Sequence, residues 1–244
     1  MKRISALLLA VLFVLSLAAC SSAKPESETT ADASTEAADT QVTGGWAVTE
    51  NEAAALPKEV QTAFDKATAE YTGMDFVPVA YIGSQVVAGL NYAVLCESTT
   101  VTADPVTALK VVIIYADLQD NAEITNVADF TVSDYTDNAG KTRNEILAGG
   151  WSAPEEVGKA VIPAEAQSAY DKATESFEGN SLDLMALLGT QIVAGTNYAF
   201  LCHSTIASAD PALSVIQVVT VYEDLDGNAS ITNICTLDIA DFNQ

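Results

Sequence analysis

A thiol beside an imidazole is the pairing from which thiolate nucleophiles are built. Cys202 and His203 adjoin in this chain of 244 residues, and His203 is its single histidine. Neighbours on a strand point to opposite faces, so these two cannot serve each other as nucleophile and base. Glu97 stands at the position of His203 one repeat earlier, and His203 reads as a solvated strand residue. Asp224, Asp226 and Asn228 have some of the spacing of a calcium loop, but the glycine falls at the wrong step and no glutamate closes it, so they read as a turn. No cysteine spacing matches a zinc site, and no phosphate-binding loop is present. No catalytic residue, metal or cofactor is therefore expected, and the chain is not read as an enzyme.

What stands out instead is a string that occurs twice, 106 residues apart: QVVAGLNYAVLC at Gln85–Cys96 and QIVAGTNYAFLC at Gln191–Cys202. The repeat extends beyond it. Leu56–Pro105 aligns with Ile162–Pro211 without a gap, with 25 identities in 50 positions. FDKAT at Phe64–Thr68 matches YDKAT at Tyr170–Thr174, and Gly44-Gly45-Trp46 matches Gly149-Gly150-Trp151. Downstream, Tyr115 and Asn121 match Tyr222 and Asn228. The units are expected at 44–135 and 146–244, joined by a polar linker at 136–145.

The elements that must position the string read alike in both units. Pro57 and Pro163 suit a first helical turn. Val60, Ala63, Phe64, Ala67 and Tyr71 follow at i, i+3, i+4, i+7 and i+11, one face of a helix, and Ala166, Ala169, Tyr170, Ala173 and Phe177 repeat it. Phe76–Val87, Leu90–Thr100, Ala108–Ala116 and Glu123–Val132 then read as strands. Gly89 and Asn91 bracket the first tight turn, and Asp120-Asn121 and Asp226-Gly227-Asn228 mark the second hairpin. Each unit is expected to be α+β, one long helix wrapped by an antiparallel sheet.

The ends and the charge bound the setting. Lys2 and Arg3 precede an apolar run at residues 6–19, too short to be read first as a membrane span. Leu17-Ala18-Ala19-Cys20 resembles the lipidation box of bacterial lipoproteins, which implies a signal peptide at 1–19 and a lipid anchor on Cys20. An ordinary secretory signal is the alternative. Residues 20–43 carry no large apolar side chain before Val42 and read as a disordered tether. The expected location is the cell envelope, anchored to the membrane through Cys20 and facing away from the cytoplasm. A formal charge of −23 repels phosphate backbones, so nucleic acid is not an expected partner. A Cys202–Cys235 disulfide and small buried apolar thiols both stay open for the remaining cysteines. Trp46 and Trp151 either pack on a sheet edge or extend a contact surface.

The order of parts resembles the cystatin superfamily, the disulfide-free stefins most of all. In that family a glycine segment, a Gln-x-Val-x-Gly hairpin and a second hairpin form one edge that enters the cleft of papain-like cysteine proteases. The resemblance implies two tandem cystatin-like domains. In the first, the edge would comprise Val42, Gly44, Gly45, Gln85, Val86, Val87, Ala88, Gly89 and Leu118. In the second it would comprise Leu147, Gly149, Gly150, Gln191, Ile192, Val193, Ala194, Gly195 and Leu225. Gln119 and Asp226 stand where stefins carry proline, and the Pro-Trp pair of other cystatins is absent. The implied function is steric inhibition of a papain-like cysteine protease; the alternative is a non-inhibitory surface binding or structural module on the same scaffold.

Overall fold

Each helix is short and begins directly after a proline. The computed structural model describes residues 44–50, 55–136, 150–152, 162–206 and 213–243, all within one compact unit, Thr40–Gln244. α1 spans Lys58–Ala69 and α2 spans Ala164–Thr174, each directly after its proline. Glu59 and Glu165 sit in the first turns and Lys66 and Lys172 in the last, matching the helix dipole. Val60, Ala63, Phe64 and Ala67 are buried, as the periodicity predicts. Tyr71 lies beyond the helix end, before Gly73 at φ 99°, and meets the ring of Phe76 edge-on at 5.1 Å.

The strands form two antiparallel sheets. The first has the order β1 (Trp46–Val48), β2 (Met74–Val87), β3 (Gly89–Thr100), β4 (Thr107–Ala116) and β5 (Ala122–Asp129). The second has β6 (Asp183–Val193), β7 (Gly195–Ile206), β8 (Leu213–Glu223) and β9 (Ala229–Leu237). Ser152 bridges to Thr190, where β1 would sit in the second copy. Register shifts near Pro78 and Tyr81, repeated near Leu184 and Leu187, bend the long strands across their helices. Pro78 is tolerated because β1 pairs only with the far end of β2, at Gly83–Gln85.

One face of each sheet packs on its own helix. Tyr92, Val94, Cys96, Val112 and Ile114 meet α1, and Tyr198, Phe200, Cys202, Val219 and Val221 meet α2. The other faces pack on each other. Ile82, Leu95, Val111 and Ile113 share a core with Leu188, Leu201, Ile216 and Val218. Trp46 and Trp151 are partly buried against that shared layer, which places both on a sheet edge.

This corrects the expected fold class. The chain is not two domains each with one long helix wrapped by a sheet. Its described residues are dominated by nine antiparallel strands in two sheets, with two helices of 12 and 11 residues. The physical cause is the second apolar face: a sheet buried on both sides cannot stand as an isolated helix-and-sheet pair. His203 is corrected for the same reason. It is 4% exposed, because the face that points away from α2 is the inter-sheet layer rather than solvent.

The packing is reciprocal. Asn126 on β5 donates from Nδ2 to the carbonyl oxygen of Phe242 at 2.6 Å, and Asn233 on β9 donates to that of Tyr135 at 2.8 Å. Tyr135 and Phe242 close equivalent 3₁₀ turns, Val132–Asp134 and Ile239–Phe242. Phe130 stacks on both, with ring centroids 5.0 Å from Tyr135 and 6.2 Å from Phe242.

Candidate binding edge

Three segments of the first repeat meet at one end of its sheet. The Gly44 N–H donates to the Val86 carbonyl at 3.3 Å, and Gln85 Nε2 donates to the Gly44 carbonyl at 3.0 Å. Asn91 Nδ2 donates to Gln85 Oε1 at 2.7 Å. Gln85 on β2 therefore links the segment before β1 to β3 with one amide. Its conformation is set before any partner arrives. Gly45, half-buried, leads into β1.

The hairpin tip Val86-Val87-Ala88-Gly89 turns at Gly89, whose φ is 143°. A side chain there would overlap the Ala116 carbonyl and press on the Tyr115 ring, so close strand approach requires glycine as much as the dihedral does. Tyr115 turns this proximity to use: its hydroxyl donates to the Ala88 carbonyl at 2.7 Å. Val87 and Ala88 remain exposed.

The second hairpin is folded by its own aspartate. Asp117 Oδ1 accepts from the backbone N–H of Gln119 and of Asn121, each at 2.8 Å, and Oδ2 accepts from Asn121 Nδ2 at 2.8 Å. The side-chain bond from Asn121, its backbone bond, the Gln119 bond and the nearby Lys66 charge together hold the Asp117 carboxyl below its ordinary value. Lys66 Nζ donates to the Asp120 carbonyl at 2.6 Å and ties the helix to this turn. Leu118, 81% exposed, projects from it. Between the helix and the two hairpins lies a cleft of about 420 Å³, bordered by Ala63, Lys66, Val87, Leu90, Tyr92 and Leu118.

The second repeat builds the same edge. Asn197 Nδ2 donates to Gln191 Oε1 at 2.8 Å, and the Tyr222 hydroxyl donates to the Ala194 carbonyl at 2.5 Å. Gly195 has φ 128° and the same two neighbours, a carbonyl (Glu223) and a tyrosine ring (Tyr222). Ile192, Val193 and Ala194 are exposed, and Leu225 is 84% exposed. Asp224 repeats the bonds of Asp117, at 2.9 Å to Asp226 N, Asn228 N and Asn228 Nδ2, and its carboxyl is likewise lowered, first by the Asn228 side chain. Its oxygens are committed to the turn, and the described residues contain no group of acidic, Cys or His side chains arranged to hold a metal. Lys172 Nζ donates to the Gly227 carbonyl at 2.9 Å and lies 3.3 Å from Glu223 Oε1.

Gly150 is exposed beside Trp151. Val42, Leu147 and Gly149 lie outside the described residues, as do Cys20, the apolar leader and the tether. Lys66, Lys172, Tyr115 and Tyr222 were missed as site residues. Their signal in the sequence is identity between the copies: Lys66 and Lys172 in the shared Asp-Lys-Ala-Thr run, and Tyr115 and Tyr222 two residues before the turn aspartate.

Cys202 and His203 do not form a reactive pair. Cys202 Sγ lies in the α2 core, 3.5 Å from the Tyr170 hydroxyl, and burial pushes its thiol up to about 12. His203 Nδ1 is 3.7 Å from Asp183 Oδ2 on the opposite face. Cys96, Cys202 and Cys235 are free thiols. No protein-family model matches this sequence, and no curated protein matches it either.

Proposed function

We propose that this chain is a lipid-anchored envelope protein that occludes the active-site cleft of papain-like cysteine proteases with its hairpin edges. The observation that carries this reading is the prefastened edge of the first repeat. Gln85 and Tyr115 hold the Gly44 segment and the Val86–Gly89 tip together, with Leu118 projecting alongside. Preorganisation lowers the ordering cost of binding. The exposed side chains are small and apolar, suited to filling a cleft, and they bring no acid, base or nucleophile. Inhibition is therefore steric. The string Gln-Val-Val-Ala-Gly and its resemblance to the cystatin edge name the protease class.

The test is titration of papain with the full chain in detergent, following hydrolysis of a chromogenic peptide. Dose-dependent, reversible loss of activity at micromolar concentration or below is expected. Full activity at that concentration overturns the reading.

The acidic turns favour a second reading in one respect. Asp117 and Asp120 line the cleft at the first tip, and Glu223, Asp224 and Asp226 lie at the equivalent turn of the second repeat; each acidic turn suits a basic surface on a partner that is not a protease. A non-inhibitory binding module predicts an intact, folded chain without effect on papain.

A further inference from the structure

Contacts between the two repeats pair the strand of one with the closing turn of the other. Gly83 lies six residues before the Gly89 turn. A Cβ built there would stand 2.6 Å from Cδ1 of Ile239, in the 3₁₀ turn at the base of the second repeat. Gly189 lies six residues before the Gly195 turn, and its Cβ would stand 3.8 Å from Cγ2 of Val132, in the 3₁₀ turn at the base of the first. The Asn126–Phe242 and Asn233–Tyr135 bonds repeat the same pairing of one repeat's strand with the other's base. The tip half of each sheet therefore packs over the base half of the other.

From this head-to-tail packing we infer that one chain engages two papain-like proteases at once, one at Val86–Gly89 with Leu118 and one at Ile192–Gly195 with Leu225. The protease identity rests on the function proposed above; the two-site geometry rests on the fold alone. Strands of this length run roughly 36 Å at about 3.3 Å per residue, so tips at the two ends stand on the order of 35 Å apart. A standard interface takes about 800 Å² from each partner, a patch about 30 Å across. Two such patches, centred on tips about that far apart, do not overlap. The inter-sheet core leaves no hinge between them, so the first partner bound does not swing into the path of the second. Toward proteases held on a surface, the pair of sites raises apparent affinity through effective concentration.

The experiment is sedimentation of the full chain, in detergent, with papain in increasing excess. The probes are the unaltered chain, Val87→Asp, Val193→Asp and the double variant. Both valines are exposed at hairpin tips, and circular dichroism and the thermal midpoint check that each variant is folded. The unaltered chain is expected to saturate at two papain molecules, each single variant at one, and the double variant at none. Saturation at one papain for the unaltered chain overturns the two-site inference and leaves inhibition standing. Loss of all binding in either single variant also overturns it, since the two tips would then form one composite site. Absence of any complex with the unaltered, folded chain overturns the protease reading and this inference with it.

Discussion

Asn126 and Asn233 occupy equivalent positions on the outer strands of the two sheets, and each donates its amide to the last turn of the opposite repeat, at 2.6 Å to Phe242 and 2.8 Å to Tyr135. These bonds cross between halves that share a core of apolar side chains. A net hydrogen bond contributes about 1 kcal/mol, and removing one partner of a part-buried pair costs more when the abandoned carbonyl cannot reach water. Asn126→Ala and Asn233→Ala are each expected to lower stability by about 1–2 kcal/mol in urea unfolding. Because the sites share no partner, the double variant should lose nearly the sum.

The shared layer also makes a prediction about cooperativity. Trp46 belongs to the first repeat and Trp151 to the second, and both pack on the same inter-sheet core. Trp46→Phe and Trp151→Phe leave one indole each, reporting on one half at a time. Both fluorescence transitions should coincide with the transition seen by circular dichroism, with one midpoint for all three. Two separated midpoints would mean that the repeats unfold as independent domains.

Gly89 and Gly195 each combine a positive φ with a carbonyl and a tyrosine ring where Cβ would go. Substitution by valine forces the hairpin away from β4 or β8 and breaks the tyrosine bond to Ala88 or Ala194. Each variant is expected to lose roughly 1–3 kcal/mol and, in papain titration, to weaken inhibition at its own tip. Tyr115→Phe separates the two effects: it keeps the turn and removes only the hydroxyl that fixes Ala88. Its stability loss should be about 1 kcal/mol.

The hairpin tips are legible in the sequence because turn chemistry is local. Gly89, Asn91 and the Asp117–Asn121 run state their roles within a few residues, and duplication marks them twice. The helix face is legible by period, although the pattern runs on to Tyr71 while the helix ends at Ala69, since periodicity alone carries no stop signal. The inter-sheet layer is a tertiary fact, but it leaves a trace. Tyr92–Cys96, Val111–Ile114 and Tyr198–Cys202 are unbroken apolar runs in the sequence, and all of them are buried. An unbroken buried run of that kind marks a strand covered on both faces, whereas alternation marks one face in water. A run read as an ordinary strand leaves one face to solvent, and in the sequence alone His203 falls on that face. The roles of Lys66 and Tyr115 depend on contacts across 54 and 27 residues and could be seen only as unexplained identities.

The lowered carboxyls of Asp117 and Asp224 set a pH dependence whose sign follows from linkage. A carboxyl held lower in the folded chain than in the unfolded one stabilises the fold fully above the unfolded value, about 3.9, and loses that contribution as pH falls through the folded value. Above pH 5 the second hairpins should therefore be insensitive to pH. On acidification the amide protons of Gln119, Asn121, Asp226 and Asn228, which these carboxylates accept, should lose protection, measured against the intrinsic exchange rate at each pH, before the sheet core does. Both turns are exposed, so salt and water limit the effect to the loops themselves. Amide exchange followed by NMR from pH 6 to pH 2 reads this directly. Asp117→Asn should remove the acid-dependent step at Gln119 and Asn121 while leaving it at Asp226 and Asn228. A step that persists at Gln119 in that variant would mean that the turn is held by something other than the Asp117 carboxylate.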